Sequence, residues 1–157
     1  YTQSFWAYYS CIGGAGSTLA LCAMCVKSKS KQLSAVGKVA IIPSLFNINE
    51  PVIFGMPIML NPILAIPFII TPLVTGSIGY FATLTGFAGK AVVMVPWTTP
   101  PLINAWLSTA GSMGAVVTQL ICIVVAVLIY LPFVKIASRR ADAAQRQVDN
   151  QQTANPV

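Results

Sequence analysis

Long apolar runs alternate with short polar interruptions along this chain. Residues 5–26 form the first run, about 22 residues, enough for a helix to cross a hydrocarbon core of about 30 Å. It opens on Phe5, Trp6, Tyr8 and Tyr9, at the level of an interfacial aromatic belt, and continues through Gly13, Gly14 and Gly16, which let a neighbouring helix approach closely. Residues 32–57 carry a different pattern. Leu33, Val36 and Ala40 recur at helical spacing on a polar background, Pro43 interrupts them, and a polar stretch at 47–50 interrupts again. Each arm has about a dozen residues, roughly 18 Å as helix, which is too short to span and predicts a re-entrant helical hairpin. Residues 58–86 make the second crossing, with Pro62, Pro67 and Pro72 predicting kinks or breaks in its first half and regular helix over 73–84. Pro96, Pro100 and Pro101 forbid a continuous helix over 87–111, which reads as a Pro-rich loop or half-helix. Residues 112–135 make the third crossing, and the Gln/Asn-rich residues 142–157 are expected to form a disordered polar tail. The pattern thus predicts an all-α integral membrane architecture. Residues 1–141 supply about three transmembrane helices, the hairpin and the Pro-rich element.

Composition strengthens the membrane reading. The chain is 56% hydrophobic and 8% charged, against roughly a quarter charged in soluble domains. Its +6 charge raises nucleic acid as a partner, but the cations flank apolar runs and no aromatic-basic stripe accompanies them, so that class is excluded. Lys27, Lys29, Lys31 and Lys38 follow the first run, and Lys135, Arg139 and Arg140 follow the last. By the positive-inside bias, Tyr1 lies outside and residues 27–57 and the C-terminal tail are cytoplasmic. Docking a soluble partner is the second reading of these lysines. The four cysteines lie in apolar stretches, and Cys22 and Cys25, though spaced CxxC, lack further ligands. They read as packing residues, with no metal and no cofactor expected. Histidine is absent from the chain, which excludes His-based catalysis within it. Beginning at Tyr1 rather than Met, the sequence reads as a piece of a longer protein.

One residue stands out chemically. Glu50 is the only acidic residue before the tail, and a carboxylate among membrane-depth residues costs a few kcal/mol unless it faces protein, water or ligand. Asn47 and Asn49 beside it add amides suited to hydroxyl-rich ligands, and Pro51 starts a new helix. The alternative is that Asn49 and Glu50 only cap that helix. Because irregular backbone at membrane depth survives where it is buried or lines a wet cavity, the Glu50 tip is expected to face such a cavity. Trp97 reads equally as an interface anchor or as a flat face for a sugar ring.

YYSCIGGAG at 8–16, SKSKQL at 28–33, FNINEPVIFGMPIMLN at 46–61 with Pro62 after it, and VPWTTPP at 95–101 carry a resemblance. Together they resemble the C-terminal part of EIIC, the membrane permease component of the lactose/cellobiose/diacetylchitobiose class of the bacterial phosphoenolpyruvate-dependent sugar phosphotransferase system. The resemblance implies a homodimeric, multi-pass permease of the bacterial inner membrane, in contact with lipid, with about ten helices and two re-entrant hairpins. It moves a disaccharide inward by an elevator-like or rigid-body motion. This chain corresponds to roughly the last third, with one hairpin. Glu50 matches the glutamate that hydrogen-bonds the sugar hydroxyl to be phosphorylated, Trp97 matches a tryptophan lying along the sugar, and Asn49 matches the motif beside the glutamate. Asn49, Glu50 and Trp97 are therefore the implied substrate ligands. Glu50 is also the implied catalytic residue, orienting the hydroxyl and taking its proton. The phosphoryl donor is a cysteine of the phosphorylated EIIB partner, so no cysteine here is the phosphocarrier. The family's second ligand, a histidine on the other hairpin, lies outside this sequence. Two rival readings are an ion-coupled secondary transporter or channel using Glu50, and a non-transporting assembly subunit. The first usually needs further titratable groups at membrane depth, and the second leaves the carboxylate unexplained.

Overall fold

A computed structural model describes residues 3–56 and 58–154. All regular structure among them is helical. Two short helices, α1 (Gln3–Tyr9) and α2 (Thr18–Val26), occupy the run where the hydrophobic pattern expects one crossing helix over 5–26. The glycines are the reason. Gly13, Gly14 and Gly16 take φ of 79°, 98° and 80°, and Ser17 follows at 53°, a left-handed path that no α-helix follows. At 1.5 Å per residue neither piece approaches the ~30 Å of a hydrocarbon core.

Helix α3 (Lys31–Leu45) runs through Pro43 instead of ending there. The proline lies in the final turn, where its ring and missing N–H cost little further helix. The chain turns at Asn47, with φ of 60°, and enters α4 (Glu50–Gly55) with Pro51 at its start. A 3-10 turn at Ile58–Leu60 leads into α5 (Pro62–Leu84), whose first turn is capped by Asn61 Oδ1 accepting from the Ile63 N–H at 3.1 Å. Pro67 and Pro72 both lie inside this one helix, so the expected breaks are absent. Each proline removes one backbone bond, while packing along α5 continues on both sides of it. After an irregular segment comes α6 (Ile103–Ser108), the half-helix alternative of the Pro-rich region.

The last helix, α7, spans Met113–Ala154. It continues through residues 142–154 of the stretch expected to be a disordered tail, whose last three residues lie outside the described ones. From Lys135 to Ala154 the chain has no glycine or proline, is rich in Ala, Arg and Gln, and places Gln145 Nε2 3.3 Å from Asp149 Oδ1 one turn on.

Helices α5 and α7 pack side by side, and α2 with α3 forms a hairpin against α7. One core cluster gathers Leu21, Cys25, Leu33, Val52, Leu64 and Tyr130 from α2, α3, α4, α5 and α7. A second surrounds α1, where Phe5, Tyr8 and Tyr9 stack edge to face and meet Ala105, Ala115 and Cys122. Gly79 of α5 makes that docking possible, because a Cβ there would fall inside the Tyr9 ring. Among the described helices, α5 and α7 are long and apolar enough to cross a membrane, and only 33% and 28% of their apolar windows are buried. Their remaining apolar faces look away from this chain. Cys22, Cys25 and Cys122 are fully buried within the packed helices.

Candidate functional site

Asn47 organises the region around Glu50. Asparagine tolerates the left-handed conformation better than most residues, and the turn presents its amide to two other segments. Its Oδ1 accepts the Gly13 N–H at 2.8 Å. Its Nδ2 donates to the carbonyls of Trp97 at 2.5 Å and Thr99 at 3.2 Å. The glycine loop, the α3–α4 turn and the Pro-rich segment are therefore joined through one side chain, 7% exposed. Sequence reasoning placed Asn47 in a general amide cluster and missed this role. The available signal is an asparagine in a polar break between two helices, since asparagine is enriched several-fold among non-glycine residues in the left-handed region.

Asn49 is also tied to the glycine loop. Its Nδ2 donates to the Ala15 carbonyl at 2.7 Å, and a Cβ on Gly14 would come within 2.5 Å of its Cγ. It stands at the N-cap position of α4, yet its side chain makes no capping bond, which corrects the capping alternative for this residue. One of its two amide hydrogens is thus engaged by backbone before any ligand arrives.

Glu50 is the first residue of α4 and is exposed. Among the described residues nothing engages its carboxylate. None of the described cavities is lined by Glu50, so the enclosed wet cavity expected around it is not seen among the described residues. Trp97 is 52% exposed and lines a small cavity of about 230 Å³ with Ser4, Ala7 and Met94. Glu50 does not line that cavity. The structure thus links Trp97 to the turn through its backbone carbonyl, without bringing the indole and the carboxylate into one described pocket.

Two further buried groups hold the surroundings in place. Gln119 of α7 accepts the Leu102 N–H on Oε1 at 2.6 Å and donates from Nε2 to the Tyr8 carbonyl at 2.8 Å. It anchors the end of the Pro-rich segment, where Leu102 has φ of 69°, against α1. Tyr130 donates its hydroxyl to the Gly16 carbonyl at 2.6 Å, fixing the glycine loop to α7. What results is a carboxylate without a partner among the described residues, displayed on a turn pinned by hydrogen bonds, next to a segment carrying an exposed tryptophan. A carboxylate so placed can accept a hydroxyl proton.

Residues 1–72, which include that turn, match the family model "Phosphotransferase system, EIIC". The crystal structure of the transporter ChbC, the IIC component from the N,N'-diacetylchitobiose-specific phosphotransferase system, matches with a TM-score of 0.90 and 40% identity, over 92% of this chain and 34% of that one. This chain belongs to the phosphotransferase system EIIC family. Among its relatives, the lichenan permease IIC component of Bacillus subtilis (strain 168) is 43% identical over 98% of this chain and 34% of that protein. The cellobiose-specific EIIC component of Geobacillus stearothermophilus is 44% identical over 94% and 33%. The chain spans about a third of the length of these relatives. As an EIIC chain it is an integral membrane protein, in keeping with the two membrane-capable helices.

Proposed function

We propose that this EIIC chain supplies the Glu50-bearing part of a disaccharide site in a phosphotransferase permease. The observation that carries the reading is the Glu50 carboxylate, unpartnered among the described residues, on a turn whose neighbours, Asn47 and Asn49, are fixed by backbone hydrogen bonds. Preorganising one acceptor while leaving it free suits a group that must orient an incoming hydroxyl. The substrate class is a disaccharide of the cellobiose, diacetylchitobiose or lactose type. The rest of the permease completes the enclosure around Glu50, as a homodimer in the bacterial membrane, with the C-terminus in the cytoplasm. Residues 32–57 act as a re-entrant hairpin that brings Glu50 to membrane depth.

The phosphoryl group arrives on a cysteine of phosphorylated EIIB. The sugar hydroxyl oxygen forms the new P–O bond as the P–S bond breaks, and the hydroxyl proton passes to Glu50 while the thiolate leaves. Trp97 offers its exposed indole face to a sugar ring, and Asn49 uses its remaining amide hydrogen on a neighbouring hydroxyl.

The test uses membrane vesicles bearing the whole permease. Uptake of labelled cellobiose should require phosphoenolpyruvate and the soluble partners, and Glu50→Gln should retain part of the sugar binding while losing at least about 100-fold in phosphorylation, the scale of a lost general base. Normal phosphorylation by Glu50→Gln would remove this residue from the mechanism. Uptake driven by a proton or sodium gradient without phosphoenolpyruvate would replace the phosphotransferase reading with an ion-coupled one.

A further inference from the structure

Where α7 leaves its apolar stretch, a cavity of about 480 Å³ opens between it and the end of α2. Its lining changes character along the helix axis. Met24, Leu131 and Val134 contribute apolar lining, and Lys27, Lys135 and Arg139 contribute cationic lining. Leu131, Val134, Lys135, Ser138 and Arg139 share one face of α7 by their three- and four-residue spacing. The two walls are held together by a hydroxyl pair, Ser28 Oγ to Ser138 Oγ at 3.0 Å. Lys29 also borders the cavity and reaches the neighbouring one at the start of α3, where Ser30 makes no capping bond and the first N–H groups of the helix add positive potential. Asp142 is the one carboxylate among the described lining residues, against four cations.

A loop that only marked topology would need cations near the membrane, not a concave site graded from apolar to cationic. We infer that this cavity binds the headgroup of an anionic phospholipid, its phosphate among Lys27, Lys29, Lys135 and Arg139 and the start of its acyl chains on Met24, Leu131 and Val134. Basic pockets between helices at the membrane surface suit such headgroups, and each cation contributes attraction that a zwitterionic lipid does not share.

The experiment is native mass spectrometry of the detergent-solubilised whole permease, titrated with phosphatidylglycerol or with phosphatidylcholine of the same acyl chains. Phosphatidylglycerol should bind at least about tenfold better. K135A/R139A should lower its binding roughly tenfold to thirtyfold, to the phosphatidylcholine level. The charge-preserving K135R/R139K should bind like the parent, which separates loss of charge from loss of fold. Soluble glycerophosphate at the same concentration should not displace the lipid. Equal binding of the two lipids, unchanged binding by K135A/R139A, or displacement by glycerophosphate would overturn the assignment. So would loss of EIIB-dependent uptake by K135A/R139A in vesicles of phosphatidylcholine alone, which would make the surface a protein dock.

Discussion

Removing the Asn47 side chain tests the central claim about the site, that one amide joins three segments of the chain. Asn47→Ala deletes three hydrogen bonds, to Gly13, Trp97 and Thr99. At roughly 1 kcal/mol net each, these contribute about 3 kcal/mol, and the buried Gly13 N–H left without an acceptor sets about 1–3 kcal/mol for its share alone. Alanine at φ of 60° adds strain of about 1–2 kcal/mol. The sum, about 4–7 kcal/mol, is a large part of the 5–15 kcal/mol that holds a typical domain folded. At about 2–4 °C per kcal/mol, the thermal midpoint in detergent should fall by about 10 °C or more. Two companion variants separate the causes. Asn47→Gly accepts the backbone conformation and should recover about 1–2 kcal/mol of the loss. Asn47→Asp keeps the acceptor for Gly13 but turns an oxygen toward the Trp97 and Thr99 carbonyls, so it should be no better than alanine. Limited proteolysis of residues 87–102 gives a local readout, since these residues lose their tether. A midpoint for Asn47→Ala within 2 °C of the parent, with residues 87–102 still protected, would refute the role assigned to this side chain.

Other expectations follow from the same geometry. Gly79→Ala should destabilise the protein by about 1–3 kcal/mol in thermal unfolding, although alanine is the better helix former, because its Cβ would meet the Tyr9 ring. Gln119→Leu should cost about 2–3 kcal/mol and expose residues 87–102 to protease, because Leu102 and Tyr8 both lose their partner. Trp97→Ala should leave the unfolding midpoint nearly unchanged, the ring being half exposed, yet weaken disaccharide binding about tenfold by calorimetry, with Trp97→Phe intermediate.

The amino-acid sequence alone determined that this chain is helical, apolar and built for a membrane, because hydrophobic runs and their period depend on local composition. It also singled out Glu50, since a lone carboxylate in an apolar stretch is conspicuous without any coordinates. Helix ends were less legible. Glycine at 13, 14 and 16 fits either close helix packing or a left-handed break, and only the contact with Asn47, Asn49 and Tyr130 selects the break. Pro67 and Pro72 point to interruption by local rules, while packing against α7 keeps α5 whole. The polar end of α7 reads as disordered by composition, yet it extends a helix already nucleated by its apolar part, which removes the cost of starting one. Asn47 was hidden for a related reason. Its partners lie 34 to 52 residues away, and an amide's role among distant carbonyls exists only once the chain has brought them together.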